Sequence, residues 1–141
     1  MVGNQRDENM TYSIGSLASE SGCKVVTIRF YERSGLLPKP DRSAAGYRVF
    51  NSEHLRRLRF IRRSRDLGFS LSEIRELLSL ADQQNKSCDV VDDVVAEHLG
   101  AVRQRIDELR ALERELVRIR SACKGGRIED CRIVDALCRS A

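Results

Sequence analysis

The chain has 141 residues and a formal net charge of +4, and aromatic residues make up 5% of it, with no tryptophan. This length fits one or two small units, and the shortage of aromatic side chains argues against a single large core. No apolar run approaches the 18 or so residues that a membrane-spanning helix needs, and residues 1–9 lack the apolar centre of a signal peptide. We therefore expect a cytoplasmic protein with no membrane partner, whose chain starts at Met1 or at Met10.

Charge is unevenly distributed along the chain. Residues 1–70 contain 13 Lys and Arg against 7 Asp and Glu, whereas residues 71–141 contain 12 against 14. A basic first half is typical of a protein that binds a polyanion such as nucleic acid, although a solvated basic surface has the same composition. Five cysteines without an export signal favour reduced thiols over disulfides.

Two short amphipathic helices are predicted at residues 11–22 and 25–34. Ser13 is a candidate N-cap for the first helix, Gly22 ends it, and Gly35 ends the second. Two helices around so tight a turn fit a helix-turn-helix, whose second helix enters the major groove of DNA. The spacing alone is a weak signal, because many helical hairpins share it.

A hairpin and an arginine-rich helix are predicted next. Pro38 and Pro40 stop helix formation, and residues 42–50 combine a turn glycine, Gly46, with strand-favouring side chains, as in a small wing. Asn51 or Ser52 caps a helix over residues 53–67. Its inward side chains are expected to be Leu55, Leu58, Ile61 and Leu67. Its other face carries Arg56, Arg57, Arg59, Arg62, Arg63 and Arg65, for which phosphate contact is the favoured role beside a helix-turn-helix and a wing.

The second half of the chain is dominated by one long predicted helix. Ser70 and Glu73 form a capping box that opens a short helix, residues 81–87 form a polar linker, and the long helix follows over residues 89–122. Its apolar stripe is Val95, Leu99, Val102, Ile106, Leu109, Leu112, Leu116 and Ile119. A helix of this length spans about 50 Å and cannot bury its own stripe, so a second copy of the chain is the simplest partner. Gly125 and Gly126 end it, and residues 133–138 form a last short helix.

Several runs of the sequence resemble the mercury-resistance regulator (MerR) family. They are residues 26–32 (VTIRFYE), 35–37 (GLL), Arg42-Ser43 with 46–48 (GYR), and 67–71 (LGFSL) with Glu73-Ile74. The resemblance implies a mainly α-helical fold: a winged helix-turn-helix, a long antiparallel coiled-coil dimerisation helix and a short C-terminal metal-binding loop. The expected division is a disordered tail at 1–10, a DNA-binding domain at 11–80, a linker and dimerisation helix at 81–122, and a metal-binding loop with a short helix at 123–141.

The resemblance also implies a mechanism. Family members bind double-stranded promoter DNA as homodimers. The elements of such a promoter are badly spaced for RNA polymerase. When the effector binds, the protein bends and untwists the central base pairs of the promoter. By position, the residues that match the family's DNA-gripping side chains are Arg29, Arg42, Tyr47, Arg48 and Arg65. Tyr31 is ambiguous, because packing in the core is at least as good a role for it.

Three cysteines match the ligands of the family's divalent-metal sensors: Cys88, Cys123 and Cys131. Antiparallel pairing of two long helices would bring Cys88 of one copy beside the other two of its partner. Because a third thiolate better neutralises a divalent soft ion, this set favours Cd(II), Pb(II), Hg(II) or Zn(II) over Cu(I), with cadmium or lead first. Cys138, Asp130 or a water could add a fourth ligand.

Alternative roles remain open for the thiols. The same architecture could serve a redox sensor, an iron–sulfur sensor or a Cu(I) sensor. Cys23, in the turn of the helix-turn-helix, is expected to pack, His98 to lie at a solvated or interface position, and His54 to face solvent or phosphate. The sequence contains no recognisable set of catalytic residues and no phosphate-binding loop, so we do not expect an enzyme.

Overall fold

The computed structural model describes residues 10–123 and 125–139, which divide into two compact units, one ending at Val91 and the other beginning at Asp92. Residues 1–9, on which the tail prediction falls, and residues 124, 140 and 141 lie outside the described residues. In the first unit, two pairs of helices are separated by a strand hairpin and preceded by a short strand. The order is β1 (Thr11–Tyr12), α1 (Ile14–Ser21), α2 (Val25–Arg33), β2 (Asp41–Arg42), β3 (Arg48–Asn51), α3 (Ser52–Asp66) and α4 (Leu71–Ala81).

Serine side chains cap the starts of α1 and α4. The hydroxyl of Ser13 accepts a hydrogen bond from the backbone N–H of Ser16 at 3.1 Å, and that of Ser70 accepts from Glu73 at 3.1 Å. Both satisfy backbone donors that a helix start leaves unpaired. Gly22 ends α1 with φ of 70°, a left-handed conformation that glycine adopts without a Cβ penalty. The predicted caps Ser13, Gly22 and Ser70 are therefore confirmed.

The small antiparallel sheet has the strand order β1-β3-β2. Thr11 pairs with Asn51 and Tyr12 with Phe50, while Asp41 pairs with Val49 on the other side of β3. Residues 11 and 12 therefore form a strand, and the prediction that the first helix includes them was wrong. The strand joins the start of the chain to the wing hairpin.

The core of the first unit lies between α1, α2, α3, α4 and β3. Its fully buried side chains include Leu17, Ile28, Phe50, Leu58, Ile61 and Ile74. Leu55, Leu58 and Ile61 face inward as predicted, but Leu67 is 53% exposed because α3 ends at Asp66 and Leu67 lies beyond its last turn.

His54 is buried, which contradicts the expectation that it faces solvent or phosphate. Its Nδ1 lies 3.1 Å from the backbone nitrogen of Asn51, and the Asn51 side chain accepts from the backbone N–H of His54 in return. The ring's Nε2 lies 3.1 Å from the carbonyl oxygen of Pro38. His54 thus completes a capping box at the start of α3 and ties that start to the loop before the wing.

Helix α5 (Asp89–Ser121) matches the predicted long helix to within one residue, and it begins at the end of the first unit. A short 3-10 turn (Ile128–Asp130) and helix α6 (Arg132–Arg139) follow it in the second unit. The stripe side chains from Val95 to Leu116 are 38% to 65% exposed, whereas Ile119 is buried. Across the described residues, no helix combines the length and apolarity needed to span a membrane.

Candidate nucleic-acid interface and thiol sites

Helix α2 occupies the position of a recognition helix. The side chains of Ile28 and Tyr31 are buried on its inner face, and Arg29 is exposed on its outer side. Burial raises the pKa of Tyr31, the neighbouring Cys23 raises it further, and the positive charge of Arg65 opposes them. This environment favours core packing over DNA contact as the role of Tyr31. Cys23 is partly buried beside it.

The wing between β2 and β3 is closed by a compact turn. The backbone N–H of Ser43 donates to the carbonyl of Tyr47 at 2.8 Å, and the hydroxyl of Ser43 accepts from the backbone N–H of Tyr47 at 3.1 Å. Arg42 donates from Nη1 to the carbonyl of Gly46 at 2.9 Å. Because Gly46 has φ of 83°, the turn favours glycine there. Tyr47 is thereby held at the tip with 74% of its surface exposed.

Arg48 connects the wing to the recognition helix. Its Nε donates to a carboxylate oxygen of Glu32 on α2 at 3.0 Å, and its side chain is 29% exposed. A guanidinium has five N–H donors in a fixed fork, so donors remain for a phosphate. The structure therefore gives Arg48 a positioning contact beside the predicted DNA contact.

The arginines of α3 differ in the contacts that they make within the chain. Arg57 donates to the carboxylate of Asp82 at 3.1 Å, and Arg62 donates to the carbonyl of Ser21 at 3.1 Å. Arg65 donates to the carbonyl of Phe69 at 3.2 Å and is exposed. Arg57 and Arg62 therefore join α3 to the end of α4 and of α1, and phosphate contact by the arginine run stays a prediction.

Cys123 and Cys131 line one small hollow at the end of the chain, together with Asp130. The backbone N–H of Cys123 donates to the carbonyl of Arg120, and that of Cys131 donates to the carbonyl of Ile128. Gly125 and Gly126 have positive φ, which lets the loop reverse direction. Thiolates are donors that soft metal ions prefer, and this hollow supplies two of the three cysteines in the predicted set.

Cys88 and Cys138 are exposed. Cys88 precedes α5 in the first unit, next to Ser87, whose hydroxyl accepts from the backbone N–H of Asp89 at 3.3 Å and donates to its carboxylate at 2.9 Å. Cys138 lies in the last turn of α6. Within the described residues of one chain, no group of three Cys, His, Asp or Glu side chains is arranged to hold a metal ion.

Comparison with known proteins places these features in a family. The profile described as MerR HTH family regulatory protein matches residues 12–81, and the profile described as MerR, DNA binding, matches residues 55–119. The mercuric resistance operon regulatory protein of Bacillus cereus is 36% identical over 129 residues, which cover 91% of this chain and 98% of that protein. The chain belongs to the MerR family.

Other MerR-family proteins are also similar over most of their length. The regulator ZntR of Escherichia coli K12 is 40% identical over 89% of this chain and 92% of its own. The structure of PbrR691 from Ralstonia metallidurans CH34 in complex with lead(II) has a TM-score of 0.81 and 44% identity, covering 89% of this chain and 98% of that one. MerR from Bacillus megaterium MB1 in complex with mercury(II) has a TM-score of 0.73 and 32% identity, covering 91% and 100%.

MerR-family membership confirms the fold class expected from the sequence: a helix-turn-helix with a wing and a small sheet, followed by a long helix. It also makes the chain a DNA-binding transcription regulator and not an enzyme. The individual DNA-binding residues and metal ligands named from the sequence stay predictions.

Proposed function

We propose that the chain is a homodimeric activator that senses a soft divalent metal ion through Cys88, Cys123 and Cys131 and distorts promoter DNA for RNA polymerase. The ion is Cd(II), Pb(II), Hg(II) or Zn(II). The proposed division of labour follows the expected boundaries: DNA binding by residues 11–80, dimerisation by 81–122 and metal binding by 123–141. The relatives whose names mention mercury or lead support this function, and the hollow that Cys123 and Cys131 share supports the site.

The spacing of the exposed stripe on α5 supports an antiparallel homodimer. Six of its eight apolar positions lie at matching distances on either side of a point between Arg105 and Ile106. In two antiparallel helices centred on that point, these apolar side chains lie at the same level along the axis of the pair. The matched pairs are Val95 with Leu116, Leu99 with Leu112, and Val102 with Leu109. Removing these exposed side chains from water would stabilise the pair by about 25 cal/mol per Å².

The same centre carries the proposed site. Cys88 and Cys123 are equally far from it along the sequence, one on each side. The register set by the apolar side chains alone therefore brings Cys88 of one copy level with Cys123 of its partner. The apolar side chains and the cysteines independently indicate the same centre, and this agreement is the observation that carries the proposal.

Charge on α5 favours the same orientation. Residues 89–102 contain four acidic side chains and no Lys or Arg, whereas residues 103–121 contain six arginines and four acidic side chains. Antiparallel pairing puts the acidic half of each helix against the net-positive half of its partner. Parallel pairing would put the two acidic halves together, which costs free energy at low salt.

A site built from two chains couples metal binding to the arrangement of the dimer. An ion that needs donors from both copies stabilises only the arrangements in which those donors meet, so its binding free energy can shift the population of dimer arrangements. Each α5 follows directly on a DNA-binding unit, and the two units together hold the promoter. Distortion of the DNA between them then requires no new base contact.

A complementation experiment tests the shared site. Cys88→Ser and Cys123→Ser proteins are titrated separately with Cd(II), Pb(II), Hg(II) and Zn(II) under reductant, with thiolate charge-transfer absorption as the readout, and then mixed and allowed to exchange subunits. Neither variant alone should hold a three-thiolate ion. A mixed dimer keeps one intact site, so random exchange should restore about a quarter of the wild-type capacity.

Absence of any recovery on mixing would overturn the shared site, since a site within one chain cannot be repaired this way. Cys23→Ser is the matched control and should bind like the wild type. Cys138→Ser decides whether a fourth thiolate takes part. A purified protein that is brown, or whose transcription follows oxidant and not metal, would instead support the redox or iron–sulfur alternative.

A further inference from the structure

Val26 is an exposed apolar side chain at the start of the recognition helix. It is the second residue of α2, and 71% of its surface is exposed. Ile28 and Tyr31 point into the core from the same helix. Val26 therefore lies on the outer face of α2 and contributes little to the stability of the fold.

Apart from Phe30, which is 43% exposed, the other exposed residues of α2 and its N-cap are basic. Lys24, Arg29 and Arg33 are all exposed. Their charges can neutralise phosphates, but the side chain of Val26 has no donor or acceptor with which to bind a phosphate or a polar base edge. A single exposed valine needs no explanation on an ordinary surface. On the first turn of a recognition helix it lies where side chains meet the base edges.

Helix α2 is fixed firmly enough to present one side chain reproducibly. The carbonyl of Tyr31 accepts from the backbone N–H groups of Leu36 and Leu37, at 3.0 and 3.1 Å. Arg75 on α4 donates to the carbonyl of Ser34 at 2.8 Å, and the ion pair between Glu32 and Arg48 joins the helix to the wing. A short, stiff side chain on an anchored helix pays little conformational entropy on binding.

We propose that Val26 reads the 5-methyl group of a thymine in the major groove of each half-site. That methyl is the apolar feature that the four base pairs offer in this groove, and aliphatic side chains discriminate thymine by contact with it. The two methyl groups of Val26 provide the matching surface. The flanking basic residues contact the phosphate backbone of the DNA, and phosphate contacts carry no sequence information.

The experiment replaces thymine by deoxyuracil, which removes the methyl group and leaves every hydrogen-bonding group in place. The probe is a duplex selected by the purified full chain from a random-sequence pool, with its thymines replaced one position at a time in both half-sites. We expect one position at which the wild type loses about fourfold in affinity for each half-site replaced, the effect of uncovering one methyl group. Val26→Ala should bind the unmodified duplex correspondingly less well and lose this sensitivity.

Two controls separate readout from general weakening. Val117→Ala removes the same methyl groups from a valine that is 62% exposed on α5, outside the stripe, and should keep the full methyl dependence. Val26→Ala should also retain the wild-type salt slope, because it removes no phosphate contact. Selected duplexes without thymine in the half-sites, a wild type indifferent to every replacement, or a Val26→Ala protein that keeps the methyl dependence would each overturn the proposal. All measurements are made without metal, so they do not depend on the metal-sensing proposal.

Discussion

Helices α3 and α5 show the same apolar periodicity but end up in different surroundings. Helix α3 has 15 residues and buries Leu55, Leu58 and Ile61 against the rest of its own unit. Helix α5 has 33 residues, and most of its stripe stays exposed in a single chain. The apolar face of α3 is therefore buried within one chain, whereas burial of the α5 stripe would require the second copy of the proposed dimer.

The largest expected effect comes from the buried side of this comparison. Phe50 on β3 is fully buried and makes an edge-on contact with the ring of His54, with centroids 5.2 Å apart. Phe50→Ala should destabilise the DNA-binding unit by about 3–5 kcal/mol, through lost burial and the cavity left behind. The measurement is urea unfolding followed by circular dichroism at several protein concentrations.

Phe60→Ala is the matched control, since Phe60 is 37% exposed on α3, and it should cost distinctly less. The loss at Phe50 should be independent of protein concentration. If the loss of stability grew on dilution, the DNA-binding unit would not be stable by itself, and the contrast between α3 and α5 would be wrong.

A smaller effect, of a different kind, is expected at Leu109 near the centre of the α5 stripe. Leu109 is 57% exposed in the chain. If two copies cover the stripe, Leu109→Ala should weaken the dimer by about 1.5–3 kcal/mol for each copy changed. Sedimentation equilibrium measures this as a higher dissociation constant. Val117→Ala, outside the stripe, should leave that constant nearly unchanged, and equal effects of the two substitutions would argue against the proposed face.

Elements set by local chemistry were predictable from the sequence. The long helix, the caps Ser13 and Ser70 and the stop at Gly22 all follow from short-range periodicity and capping, and the structure confirms them. The wing turn at Gly46 follows from the same kind of signal. In each case the deciding residues lie within four positions of one another.

Features that depend on distant residues were missed. Strand β1 has two residues and exists because Tyr12 pairs with Phe50, far along the chain. His54 is a polar residue whose ring is buried against the carbonyl of Pro38, and Arg57 forms an ion pair with Asp82, 25 residues away. The candidate site divides in the same way: the hollow of Cys123 and Cys131 is local, but in the proposed dimer the contribution of Cys88 would depend on a second chain.

A pH-dependent effect is expected at the boundary between the core and the DNA-facing surface. Burial raises the pKa of Tyr31 above its ordinary value of 10.0, so the folded state favours the neutral phenol. Its contribution to stability is fully present below pH 10.0 and is lost as the pH rises through the folded-state pKa, because the unfolded chain releases the proton first. Urea unfolding between neutral and alkaline pH should therefore show stability falling above that point. Tyr31→Phe should flatten this fall, whereas Tyr47→Phe, at the exposed wing tip, should keep it.

The smallest expected effect is a gain at Gly100 in the middle of α5. Within the described chain, a Cβ added at Gly100 meets no atom closer than 4 Å, and its φ is not positive. Gly100→Ala should stabilise α5 by about 0.5–1 kcal/mol, because alanine loses less backbone entropy in a helix, and should raise the melting temperature of the dimer. Gly46→Ala is the matched control: an added Cβ there also has open space, but φ is 83°. It should therefore destabilise the wing, and a gain at both positions would mean that backbone conformation does not decide the outcome.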